Sequence, residues 1–146
     1  MEIRVMKIED YDQVFQLWNE TAGMGMRSLD DSREGIEKFI QRNPKTNFVA
    51  MQDGQLLGVI MAGNDGRRAY IYHTAVAMKA RRKGVASKLL AACLQAIKDE
   101  GINKVALVVF GDNQLGNDFW QAQGFEVRND IIYRNLTLTE QTGNHL

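Results

Sequence analysis

Cysteine is almost absent from this chain of 146 residues: Cys93 is the only one. A lone thiol excludes an internal disulfide and a cysteine-based zinc site. Its place on the apolar face of a helical stretch marks it as a buried structural thiol rather than a nucleophile. Proline also occurs once, at Pro44, where it ends a helical pattern. The two histidines, His73 and His145, are too far apart in sequence to suggest a local metal pair, and no metal is expected. No apolar run approaches the ~20 residues that span a bilayer, and the opening "MEIRVMKIED" lacks a signal-peptide core. A soluble, cytoplasmic protein with no membrane partner is therefore expected. An excess of one charge is missing as well, because 18 Lys and Arg balance 18 Asp and Glu. That excludes a broad electrostatic footprint for nucleic acid, so any recognition of anions must be local. The length suits one domain, residues 1–146.

The patterns that are present read as alternating strands and helices. "IRV" (Ile3 to Val5) alternates like a short strand. Asp10 with Gln13 gives a capping-box signal before the stripe Tyr11, Val14, Phe15, Trp18. Asp31 and Glu34 repeat that signal before Ile36, Phe39 and Ile40, and the "NETAGMGMRSLD" between the two helices reads as a flexible loop. "NFVAMQDGQLLGVIMAG" is two apolar runs about Asp53-Gly54, a hairpin signal with a type I′ turn. "NDGR" then turns the chain into "RAYIYHTAVAM". A helix from Gly84 to Glu100 carries Val85, Leu89, Cys93 and Ile97 on one face and ends at Gly101. "KVALVVF" (Lys104 to Phe110) reads as a strand buried on both faces, parallel to the strand before the helix. A short helix about Leu115 to Ala122 leads to "GFEV", a turn at Arg128 to Asp130, and "IIYRNLTL", read as a closing hairpin. The tail "TEQTGNHL" reads as unstructured.

Among the motifs, a P-loop is absent, and "GMGMRS" fails as a dinucleotide fingerprint because it follows a helix and lacks the third glycine. Its methionines, Met24 and Met26, suit a mobile loop at a substrate entrance. The informative stretch is "KARRKGVASKLLAAC", residues 79 to 93. Lys79, Arg81, Arg82 and Lys83 crowd the start of a helix, the end where cations cost about 0.3–1 kcal/mol each. A solvated basic turn is the plain reading. Between a strand end and a helix N-terminus, the same cations become favourable if a phosphate sits among them and Gly84 lets its backbone approach closely.

"VAMKARRKGVASKLL", with Arg81-Arg82-Lys83-Gly84-Val85-Ala86 matching R/Q-x-x-G-x-G/A, resembles the signature of the GNAT superfamily of N-acetyltransferases. The strand ending in Val76, "VVFGDNQ" and "NQLGNDFWQAQGF" fall at that family's intervals, so the resemblance covers most of the chain. It implies an α+β fold: a mostly antiparallel twisted sheet of about seven strands with one parallel, splayed pair, flanked by about four helices. It also implies an acetyl-CoA-dependent N-acetyltransferase that acetylates a primary amine on a small molecule or peptide. Carried over by position, the backbones of Val76 and Met78 pair with pantetheine, and an amide near Thr74 polarises the thioester carbonyl. Arg81, Arg82, Lys83, Gly84, Val85, Ala86 and Ser87 hold the pyrophosphate, and Asn113 contacts the cofactor arm. Related proteins often dimerise, so a homodimer is compatible.

Two positions depart from the family. Trp120 stands where many members have a tyrosine that protonates the leaving thiolate, and an indole N–H is not a proton donor of that kind. Tyr70 stands where histone-modifying members have a glutamate base. Tyr72 and His73 are then the candidate catalytic residues, although strand alternation puts them on opposite faces. A core histidine bonded to backbone is the other reading of His73. The departures leave a rival class open: a non-catalytic acyl-CoA-binding sensor or interaction module on the same fold. The identity of the amine is not legible, and specificity is expected in Thr21 to Asp31 and the closing hairpin.

Overall fold

The structure is a computed structural model that describes residues 1–143. Its core is a sheet in the order β1 (Glu2–Val5), β2 (Phe48–Gln52), β3 (Gln55–Asn64), β4 (Ala69–Val76), β5 (Val105–Ala106). Every neighbouring pair is antiparallel except β4 with β5, which is parallel. The β2–β3 turn places Asp53 at φ 52° and Gly54 at φ 76°, the two positive values that a type I′ turn needs to match strand twist. Helices α1 (Tyr11–Glu20) and α2 (Arg33–Arg42) cover one face, and α3 (Val85–Asp99) covers the other. Val14, Trp18 and Ile36 pack with Val59 and Met61 on the first face, while Leu89, Cys93 and Ile97 pack with Ile60 and Ile71 on the second. Burying such a side chain contributes about 1.5–3 kcal/mol. Cys93 is fully buried, and burial pushes its thiol up to about 12. Among the described residues no helix is long and apolar enough to cross a membrane.

Both capping expectations are corrected. Asp10 does not cap α1: its carboxylate takes a bidentate ion pair from Arg4, at 2.9 and 2.8 Å, and the Lys7 N–H. Burial alone would raise this carboxyl, but Arg4 and the Lys7 N–H outweigh it and hold it below its usual range. Gln13 instead accepts the Leu56 N–H, tying α1 to β3. Helix α2 is capped by Ser32, whose Oγ accepts from the Gly35 N–H, and the adjacent Asp31 is left for other contacts.

The sheet has five strands among the described residues rather than about seven. The expected strand Lys104 to Phe110 pairs only through Val105 and Ala106, and then the chain leaves β4. Neither "GFEV" nor "IIYRNLTL" forms a strand, so the closing hairpin is absent from the described residues, and Val127, Ile132, Leu136 and Leu138 are 70–89% exposed. A β-run in sequence reports side chains that suit a pleated surface, whereas a strand exists only where a neighbour pairs with it. Two other expectations change with it. The loop 21–31 is anchored: Thr21 bonds the Leu17 carbonyl, Arg27 N–H bonds Asp31, and Ser28 pairs with Thr142. The tail is correspondingly ordered at Gln141, which accepts the Leu29 and Asp30 N–H groups. Residues 144–146, including His145, lie outside the described residues.

Candidate active site

The parallel pair sets up the site. Ala69 and Tyr70 pair with Val105 and Ala106, after which β4 runs on to Val76 with no strand partner on that side among the described residues. The gap is a cleft of about 100 Å³ lined by Tyr72, His73 and Thr74 from β4 and by residues 107–110. Thr21 to Gly25, Asn113 and Trp120 complete the wall. A splayed parallel pair of this kind leaves backbone donors and acceptors along β4 open to an extended ligand.

Within β4 the register shifts. Val59 pairs with Ala75 and Met61 with Tyr72, so His73 and Thr74 together stand opposite Ile60 alone. His73 has φ 34°, a left-handed value unusual for a side-chain-bearing residue. The Trp18 indole N–H donates to the His73 carbonyl at 3.1 Å and fixes this bulge from α1. Alternation is thereby broken. Both Tyr72 and His73 face the α1–α2 side, where Tyr72 meets Phe39 and His73 meets Trp18. The expectation that these two side chains point to opposite faces is overturned by the one extra residue. His73 Nε2 lies 2.7 Å from Asp31 Oδ1, and their side chains are 11% and 6% exposed.

Tyr70 packs against Tyr72 with ring centroids 4.7 Å apart. Burial, with the neighbouring Tyr133 and Tyr72, pushes the Tyr70 phenol up to about 12, and burial likewise raises Tyr72. Both are neutral phenols at physiological pH. Trp120 comes from α4 (Gln114–Ala122) and packs edge-on against Phe119 and Phe125, at 4.9 and 5.1 Å. Asn113 is the N-cap of α4: its Oδ1 accepts the Gly116 N–H.

The cationic turn lies past the end of β4. Gly84 is the N-cap of α3 at φ 76°, with no side-chain cap and no acidic residue in the first turn. A Cβ on Gly84 would meet nothing within 4 Å, so the backbone there is open to approach. The first turn is set on the sheet by Gly58, where a Cβ would come within 3.0 Å of Leu89 and 3.2 Å of Val85. The cations divide between two directions. The Arg81 Nε–H donates to the Val76 carbonyl at 3.4 Å, at the cleft's end, and Arg82 is exposed with φ 63°. Lys79 donates to Gln55, and Lys83 lines a separate groove with Lys79 and Lys88. Val85 is buried in the core, and Ala86 is half-buried. The Ser87 hydroxyl accepts from Gln123, the C-cap just past α4, and Met78 is 77% exposed.

The structure therefore brings Tyr72, His73, Thr74, Asn113 and Trp120 into one cleft and puts Arg81 through Ser87 beyond it. Sequence reading missed Asp31 and the role of Trp18. Asp31 and Ser32 are adjacent capping-type residues, and one helix start needs only one of them. That redundancy was the available signal.

The family model of the acetyltransferase (GNAT) family matches residues 11–125. An acetyltransferase of Sodalis glossinidius (strain morsitans) is 29% identical over 140 residues, 96% of this chain and 97% of the relative. Among solved structures, Ard1 from Thermoplasma volcanium superposes with TM-score 0.75 at 23% identity, over 84% of this chain and 80% of the other. The PaiA N-acetyltransferase of Thermoplasma acidophilum, solved in complex with coenzyme A, gives 0.74 at 24% identity, over 87% and 90%. With most of its length matched by the family model and the splayed β4–β5 cleft in place, the chain belongs to the acetyltransferase (GNAT) family.

Proposed function

We propose that this N-acetyltransferase lays the pantetheine arm of acetyl-CoA along β4 in the cleft, seats the pyrophosphate on the N-terminus of α3, and acetylates a primary amine. The observation that carries this reading is that one strand, β4, leads from an open parallel edge to an uncapped, acid-free helix start behind a cationic turn. Acetyl-CoA as co-substrate supplies an activated acyl carbon and a thiolate leaving group. The chain supplies N–H donors at Gly84 to Ser87 for the phosphates, Val76 and Met78 backbone groups for the arm, and the backbone about Thr74 for the developing oxyanion. Asn113 stands beside the arm. The structure of PaiA holds coenzyme A, in keeping with the same use of the fold here. Calorimetry with CoA, followed by a mass-spectrometric screen of amines for acetyl transfer, tests the reading: CoA binding without transfer to any amine would favour a sensor instead.

The charges separate two kinds of contact. Arg82→Ala is expected to weaken CoA about tenfold, the size of one charge-assisted hydrogen bond, while leaving binding of dephosphorylated pantetheine unchanged. Arg81→Ala should affect both ligands, because its guanidinium also holds the Val76 carbonyl. Equal losses in Arg82→Ala would place the phosphates elsewhere. Trp120, packed between Phe119 and Phe125, acts as a wall. Trp120→Phe is expected to retain the single-turnover rate within about threefold from pH 6 to 9, where loss of a true general acid would remove about 10²–10⁴-fold.

A further inference from the structure

We infer that Asp31 is a positioning residue that makes His73 the base for the incoming amine, an inference that rests on the N-acetyltransferase reading above. Asp31 is buried, yet its carboxylate is fully engaged: Oδ1 lies 2.7 Å from His73 Nε2, and Oδ2 accepts the Arg27 N–H at 2.7 Å. Its backbone carbonyl takes the Tyr11 hydroxyl at 2.6 Å. A carboxylate accepting at both oxygens is an acceptor only, so the His73 nitrogen facing it carries the hydrogen. Neutral His73 is thereby held as the Nε2–H tautomer, with the lone pair on Nδ1. Nδ1 has no hydrogen-bond partner among the described residues, and no buried side-chain nitrogen there is unpaired. It is therefore not fully buried, on a residue that lines the cleft.

The ring is held by three neighbours. Asp31 holds it from the loop before α2, Trp18 meets it edge-on from α1 at 5.0 Å, and Tyr72 stands 6.4 Å away on β4. Among the described residues Asp31 is the ionisable side chain bonded to it; Arg27 reaches that carboxylate through its backbone N–H, while its guanidinium bonds Asp30 and acts electrostatically on Tyr70 and Tyr72. This is the arrangement of an oriented base: one nitrogen anchored by an acid, the other free.

An ammonium acceptor gives one proton to Nδ1, forming imidazolium, and becomes a neutral amine. The amine lone pair forms the C–N bond at the thioester carbonyl. As the C–S bond breaks, sulfur leaves with the electron pair and is protonated by solvent, the nitrogen gives its second proton to water, and the imidazolium returns its proton to water. An acceptor that is already neutral does not require the first transfer. Rates therefore depend on the acceptor's protonation in a way that a structural role for Asp31 would not produce.

The test uses the full chain and two nearly isosteric probes at about pH 7.5: ethylamine, which is protonated, and 2,2,2-trifluoroethylamine, which is largely neutral. His73→Gln and Asp31→Asn are compared with wild type in single turnovers from acetyl-CoA. His73→Gln is expected to lose about 10²-fold or more on ethylamine, and Asp31→Asn at least about tenfold. In both, the ratio of the two rates should shift tenfold or more towards trifluoroethylamine, which also reports that each variant is folded. Nitrogen-15 spectra in a His145→Gln background should show the Nε2–H tautomer of His73 in wild type and its loss in Asp31→Asn. Equal losses on both probes, or an Nδ1–H tautomer in wild type, would overturn the dyad. Transfer neither to these probes nor to any member of the amine screen, by a wild type that still binds CoA, would remove the amine-transfer reading itself.

Discussion

Gly84→Glu is expected to weaken CoA by about 10²–10⁴-fold in calorimetry while the protein stays folded. Gly84 sits at φ 76°, and a side chain in the left-handed region costs roughly 1–2 kcal/mol. A Cβ there meets open space, so no packing is disturbed. A carboxylate at the start of a helix is itself favourable by about 0.3–1 kcal/mol, which offsets part of the strain. The same carboxylate occupies the N–H groups that a phosphate needs and repels its charge. Hydrogen bonds to charged groups are worth about 1.5–3 kcal/mol each, and losing two of them gives the stated change in affinity. Gly84→Ala separates strain from charge: it carries the backbone cost without the anion and should bind CoA within about tenfold of wild type. If Gly84→Glu bound CoA within threefold of wild type, the helix start would not be the phosphate site.

The anion site was legible because it is local. Four cations crowd residues 79–83, a glycine and an apolar helical face follow by residue 97, and the structure has only to supply the αL backbone at Gly84. The parallel β4–β5 pair was legible for a similar reason, since a strand, a long helix and an apolar run leave few other topologies. The failures are non-local. Nothing in "IYHTAV" marks an extra residue, so period-two reading carries His73 to the wrong face. The bulge depends on an indole 55 residues earlier in the chain. Asp31 reads as a helix cap because spacing cannot see that Ser32 takes that role and that His73 lies beside it. The closing hairpin failed because an apolar segment shows what a strand would need but not whether a neighbour is there to pair with it.

Trp18→Phe is the substitution in which fold and site should fail together. Trp18 is fully buried and donates to the His73 carbonyl at 3.1 Å. Phenylalanine leaves that carbonyl unpaired, at about 1–3 kcal/mol, and leaves a space that adds roughly 1 kcal/mol at ~24 cal/mol per Å³. A residue in a sparsely populated backbone region persists only where its surroundings hold it, at a cost of about 1–3 kcal/mol. Without the indole, β4 is free to relax towards regular pairing, which would carry the His73 ring off Asp31. Urea unfolding should show a loss of about 2–4 kcal/mol, and single-turnover acetyl transfer at saturating acetyl-CoA should fall at least tenfold, with the pyrophosphate site at the α3 start left intact on the other face of the sheet. Val14→Ala is the control. It empties space on the same buried helix face without removing any hydrogen bond to His73, so it should destabilise the protein comparably and leave the rate within about threefold. If the two variants lost the same stability and the same rate, the bulge would be only a packing feature. A rate loss confined to Trp18→Phe would locate the reacting centre at the residues that the indole holds out of register.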